Sequence, residues 1–223
     1  MWDPQAMLHL LSKQRMATYL DAMDGNIETA FVLYNRNIQL ATALQGMTAM
    51  VEVVARNAID RALTEWNAKI SPHTDWFDLD VLDDHAQKDI AIARQRVLRL
   101  RKPVTHSKVL AELSFGFWRF LTSKRYLTSL WTPALQYAFP NGNKDIWTRQ
   151  KQVTTLLSDL NFVRNRVAHL EPVFKRDFSK DFENAHTLLG WIDPNAAAWQ
   201  EENAPIVHLL EGGFDSRALN NNG

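Results

Sequence analysis

Residues 26–69 read NIETAFVLYNRNIQLATALQGMTAMVEVVARNAIDRALTEWNAK, with no proline and one glycine, Gly46. Apolar side chains recur there at spacings of three and four: Ala30, Leu33, Leu40, Leu44, Met47, Val51, Val54, Ile59, Leu63 and Trp66. That period matches the α-helix and not the strand. The stretch predicts one long or kinked helix, or two helices meeting near Gly46, where the missing side chain weakens helix. Ser71-Pro72 closes it, because a residue before proline is driven out of the helical region.

The same period extends in both directions. Asp3-Pro4 predicts an N-cap with proline in the first turn, then one helix carrying Leu8, Leu11, Met16 and Leu20 up to Gly25. Residues 72–80 read as an acidic and aromatic loop. Asp83 or Asp84 opens a helix that Pro103 stops, and further helices are predicted over 107–122, 124–138, 144–170 and 177–192. Pro140-Asn141-Gly142 marks a turn, and Asp193-Pro194 starts a short last helix. Alternating strand patterns and internal repeats are missing. The expectation is an all-α, single-domain helical bundle. It has an N-terminal helix over 1–25, a core over 26–192, and a C-terminal appendage over 193–223, flexible at its Asn-Asn-Asn-Gly end.

Composition narrows the class. Hydrophobic residues make up 46% of 223 residues, including eight Trp and eleven Phe, enough for a substantial core. Cysteine is absent, which excludes disulfides and thiolate metal sites and fits a reducing cytoplasm. The N-terminal residues lack the pattern of a signal peptide, and no apolar run approaches the roughly 18–20 residues needed to span a bilayer. Net charge is zero, but from Lys88 to Arg125 ten basic residues face two acidic ones, Asp89 and Glu112. That stretch, Arg99, Arg101 and Lys102 in particular, is either a solvated helix face or a patch for an anionic backbone.

The sequence Arg164-Asn165-Arg166-Val167-Ala168-His169 ends the 144–170 helix, just before Pro172. A guanidinium can fork onto phosphate oxygens, and imidazole exchanges protons near neutral pH. Five residues correspond to about 140° of helical rotation, so Arg164 and His169 do not share a face by spacing alone. Placed at the helix end, His169 is free to turn outward, and a second copy across a two-fold axis could supply what one chain lacks. Glu52 and Arg56 have the spacing of a helical ion pair. Alternatively, Glu52, Arg56 and Asn57 line a cleft and hold Arg164 or substrate. The remaining histidines show no metal-ligand spacing. His106 lies by the basic run, within reach of a phosphate there, and Phe115, Phe117, Trp118 and Trp131 read as core.

Taken with Glu52 to Ile59, Ser114 to Trp118, Leu130-Trp131 with Phe139-Pro140, and Gly190-Trp191-Ile192, this motif resembles the HEPN superfamily of ribonucleases. The order of segments is similar to its abortive-infection (Abi-like) branch and covers roughly residues 26–200. The resemblance implies a helical fold of HEPN type with extra helices, a homodimer with two motifs in a shared cleft, and metal-independent RNA cleavage. It also implies a toxin or antiphage role, with any antitoxin on another chain. Arg164 would bind the scissile phosphate, His169 would be the acid/base residue, and Asn165 the polar residue beside the arginine. Glu52, Arg56, Asn57, Arg99, Arg101 and Lys102 are the candidates for holding substrate.

The chemistry needs no cofactor and no metal. RNA brings its own nucleophile, the 2′-OH, so an enzyme has only to align it, move two protons and stabilise charge at phosphorus. The competing readings are a non-catalytic helical module that binds RNA or protein and, less well supported, a DNA-binding regulator, for which no reading head is evident.

Overall fold

The computed structural model describes residues 2–203 and contains helices and turns, with no strand among those residues. The Asn-Asn-Asn-Gly end and His208 lie outside them. The all-α expectation is met. The 26–69 stretch forms a single continuous helix, α3 (Ile27–Ile70), and Gly46 leaves no joint. A Cβ placed at Gly46 would meet nothing within 4 Å. Asn26 caps α3 by accepting the Thr29 N–H at 3.1 Å, and at the other end the Ser71 N–H returns to the Asn67 carbonyl. Part of α3 reaches a mean hydropathy of 1.3 over 18 residues, long and apolar enough to cross a membrane. Gln39, Thr42, Gln45 and Thr48, spread through the stretch, kept it from reading as one apolar run in the sequence. Its apolar face, from Leu40 through Leu63, is packed in the core.

The predicted N-terminal helix is two helices, α1 (Pro4–Leu11) and α2 (Lys13–Ala22). Ser12 between them takes a positive φ of 75°, and its hydroxyl caps α2 by accepting the Arg15 N–H. No glycine or proline announces this break. The fold pulls the pair back along α3, so that Leu8, Met16 and Tyr19 pack with Phe31, Leu33 and Phe174 in a second apolar cluster.

After α3 the acidic loop contains a 3₁₀ turn over Trp76–Asp78 with Trp76 and Phe77 fully buried. Asp83 caps α4 (Asp84–Arg99). The predicted 107–122 helix is divided into α5 (His106–Glu112) and α6 (Phe115–Leu121), because Ser114 starts a new helix by accepting the Phe117 N–H. The division buries Phe115, Phe117 and Trp118 together. The predicted 124–138 helix is also broken. A 3₁₀ turn over 124–126 runs into a π turn at Leu127–Trp131, and a second 3₁₀ turn follows at Leu135–Ala138. Pro133 lies between them and cannot donate a helical hydrogen bond.

The last elements follow the sequence closely: α7 (Ile146–Ala168), α8 (Phe178–Ile192) and α9 (Pro194–Asn203). Asp145 and Asp177 cap the first two. α3, α7 and α8 pack against one another as the centre of the bundle, and α6 lies against α3 and α7. The described part of the C-terminal appendage is not loose, since α9 packs on α8 and buries Ala197 in the main core.

Candidate functional site

The C-terminus of α7 ends in a reverse turn built without glycine. His169 is the C-cap, and Leu170 follows in the left-handed region at φ 56°. The Leu170 N–H returns to Val167 and the Glu171 N–H to Arg166, which satisfies the final carbonyls in the manner of a Schellman motif. Glycine normally takes that left-handed position, and a leucine there costs on the order of 1 kcal/mol. Three side chains hold the turn in place. Arg15 of α2 donates to the Leu170 carbonyl. Arg166 donates to the Pro172 carbonyl at 2.9 Å and pairs with Glu171 at 3.2 Å. Asn37 of α3, buried at 4% exposure, accepts the N–H groups of both Val173 and Phe174. The consequence is an exposed His169 ring that makes no hydrogen bond to the described residues.

Arg164 lies one turn earlier at the seam between α7 and α3. It is partly exposed, and its Nη1 donates to the side chain of Asn165 at 3.2 Å. Its Nε stands 3.7 Å from the Glu52 carboxylate. Arg56 repeats the local arrangement, with its Nε donating to Asn57 at 3.2 Å. Glu52 therefore sits in the field of two Arg-Asn pairs. The sequence left two readings for Glu52 and Arg56. The direct ion pair of Glu52 is with Arg164, across the helix seam, rather than with Arg56 along its own helix. Burial drives the Glu52 carboxyl above its ordinary range, while the Arg164 and Arg56 charges and the Phe115 N–H at the start of α6 oppose that shift. Nη2 of Arg164 makes no hydrogen bond to the described residues, and it lies on the same edge as Nε, the edge that faces Glu52.

Glu52, Arg56, Asn57, Arg164 and Asn165 thus come together at one seam. Arg99, Arg101 and Lys102 do not join them. They are exposed at the end of α4, which packs on α5 and α6 and makes no ion pair with the seam. Two of the ten basic residues of the run are paired with acids, and a third bonds a carbonyl. Arg94 pairs with Asp78 at 2.7 Å, Arg125 pairs with Asp83, and Arg96 donates to the Glu112 carbonyl. Asp78 and Asp83, both before α4, supply the two acidic partners, and the other cations of the run make no ion pair among the described residues.

His106 is not placed to meet a phosphate. Its Nδ1 lies 2.7 Å from Asp75 and its Nε2 2.8 Å from Asp60, and the ring stacks on Phe77. Trp76 donates to the same Asp60 oxygen at 2.8 Å. A phosphate would have to displace two carboxylates. The two ring nitrogens face different carboxylates, and no three His, Asp or Glu side chains among the described residues form a metal-ligand group. Phe115, Phe117, Trp118 and Trp131 are fully buried core.

Sequence reading missed Asn37, Arg15 and Arg166, all of which brace the turn after His169. Nothing in the sequence marks them, because each acts across long chain separations or on a backbone carbonyl. The Asp60–His106–Asp75 group was missed for the same reason. No family model, curated protein or solved structure matches the chain.

Proposed function

We propose that this chain is a metal-independent endoribonuclease of the HEPN type that acts as a cytoplasmic homodimer, in the role of a toxin or antiphage abortive-infection effector. The observation that carries this reading is the division of labour at the end of α7. Arg164 is held partly exposed at the seam by Glu52 and Asn165, while the exposed His169 ring stands free beyond the helix end. In such a dimer Arg164 binds the scissile phosphate and neutralises charge at phosphorus. A neutral His169 takes the proton of the ribose 2′-OH, whose oxygen forms the new bond to phosphorus. His169 of the partner subunit, protonated, gives its proton to the departing 5′-oxygen as the P–O5′ bond breaks. The products are a 2′,3′-cyclic phosphate and a 5′-hydroxyl. Asn165 and Glu52 orient the guanidinium, and Arg99, Arg101 and Lys102 extend the path for the RNA backbone away from the seam.

The deciding experiment is cleavage of end-labelled RNA by the wild type, Arg164→Ala and His169→Ala in the presence of EDTA. The expected result is EDTA-resistant cleavage that both substitutions abolish, with the thermal midpoint unchanged in His169→Ala, whose side chain is exposed, and lowered in Arg164→Ala, which takes the partner from Glu52. Activity lost with EDTA alone, or retained in His169→Ala, overturns the proposal.

A second reading rests on the Glu52–Arg164 pair, which already balances the guanidinium charge. On that reading the fold is a non-catalytic module that binds RNA or a protein partner. It predicts wild-type RNA binding without cleavage.

A further inference from the structure

A cavity of about 370 Å³ lies directly beside the His169 turn, between α2, α3 and the end of α7. Its apolar walls are Ile38, Ala41, Val167 and Leu170, and Leu170, which immediately follows His169, forms part of the rim. Polar groups line it as well. Thr42 donates its hydroxyl proton to the Ile38 carbonyl at 2.9 Å and so turns acceptor lone pairs outward. Gln45 has an exposed amide that makes no hydrogen bond among the described residues.

The most telling group is Asn37. Its Oδ1 is used up by the Val173 and Phe174 N–H groups, which also fixes the orientation of the amide. Its NH₂ is left without a partner among the described residues. The side chain is 4% exposed and lines this cavity. The NH₂ still reaches solvent through the open cavity, so a ligand acceptor there would take the place of water. Within a closed apolar core such a group would be a defect, whereas on the wall of an open cavity it is a recognition element.

We infer that this cavity is a nucleobase subsite for single-stranded RNA. The assignment rests on the nuclease reading, because it is the phosphate at Arg164 and His169 that brings an adjoining base to the Leu170 rim. The apolar side chains of Ile38, Ala41, Val167 and Leu170 can cover the face of a planar ring, with Tyr34 and Arg15 also on the lining. The Asn37 NH₂ requires an acceptor on the base edge, and Thr42 and Gln45 can read the rest of it. The volume falls within the usual range for small-ligand sites. The chemistry of the occupant is therefore a base that presents an acceptor to Asn37, flanking the bond that is cut. Leu170 holds its strained conformation at the point where the cavity and the histidine meet.

The test pairs binding with cleavage-site mapping. Wild type, Ala41→Phe and Gln45→Ala are titrated with the four ribonucleoside 3′-monophosphates by calorimetry, and an unstructured RNA is cut and its ends sequenced. The expected wild-type result is a preference of about tenfold for one base, in both binding and cutting. Ala41→Phe fills the cavity and erases that preference. Gln45→Ala, an exposed substitution that tests the same edge if Ala41→Phe does not fold, weakens or shifts it. Equal binding of all four nucleotides by the wild type, or a preference that survives both variants, overturns the subsite. RNA cut without base preference sinks the subsite and leaves the nuclease. A base preference abolished by Ala41→Phe in a protein that cuts no RNA sinks the nuclease and leaves a nucleotide-binding cavity.

Discussion

Glu52 and Arg164 face each other across the α3–α7 seam with 3.7 Å between carboxylate and guanidinium. The pair joins two helices that pack on each other, and Val51, Ala55, Leu160 and Val163 of those helices are buried in the main core. Arg164 therefore stands at a helix–helix seam, with a carboxylate of the other helix beside it.

That placement predicts the behaviour of Glu52→Gln. Burial is the largest influence on Glu52 and raises its affinity for a proton in the folded state. An acid raised in this way favours folding at low pH, and the contribution is lost as pH climbs from the ordinary value of 4.5 through the raised one. The glutamine variant should therefore match the wild type near pH 4 and equal or exceed its thermal midpoint at pH 7. RNA cleavage should fall, because Arg164 loses its anchor. A clear drop in the midpoint at pH 7 would mean that the ion pair outweighs desolvation.

Asn37→Ala tests the brace on the His169 turn. It leaves the Val173 and Phe174 N–H groups buried without an acceptor. The expected loss is about 2–4 kcal/mol, read from the urea midpoint at unchanged slope. A loss below about 0.5 kcal/mol would show that the turn finds other acceptors.

His106 predicts a pH signature of the same sign, shifted to higher pH, from a different part of the fold. Burial disfavours its charge, but the carboxylates of Asp75 and Asp60 outweigh burial and raise it above the ordinary 6.5. Because the folded value is raised, its contribution is fully present below 6.5 and is lost as pH rises through the folded value. Asp60 on α3, Asp75 in the loop and the Phe77 and Trp76 rings are the groups facing it. The stability difference between wild type and His106→Gln should be largest at pH 5–6 and shrink at higher pH. A difference independent of pH would assign His106 to packing alone.

Gly46→Ala addresses the continuity of α3. The position is helical and exposed, with free space where a Cβ would go. Alanine should stabilise the chain by about 0.5–1 kcal/mol, measured by thermal unfolding. Destabilisation would indicate that something packs against that face in solution.

The sequence by itself determined the helices whose apolar period and caps agree locally. α3, α4, α7 and α8 begin at Asn26, Asp83, Asp145 and Asp177 because those side chains satisfy helix-start N–H groups a few residues away. The Arg164 and His169 motif was legible as well, since its residues lie within two turns of one helix. Tertiary structure decided what depends on distant partners. It placed the breaks at Ser12 and Ser114, where burial of Tyr19 and of the Phe115–Trp118 group overrides a continuous helical pattern. It chose Arg164 over Arg56 as the direct ion-pair partner of Glu52, and it closed His106 between Asp60 and Asp75. Helix period and capping act over a few residues and can be read along the chain. Packing joins residues more than a hundred positions apart, as Asn37 and Val173 are joined, and that pairing leaves no local trace.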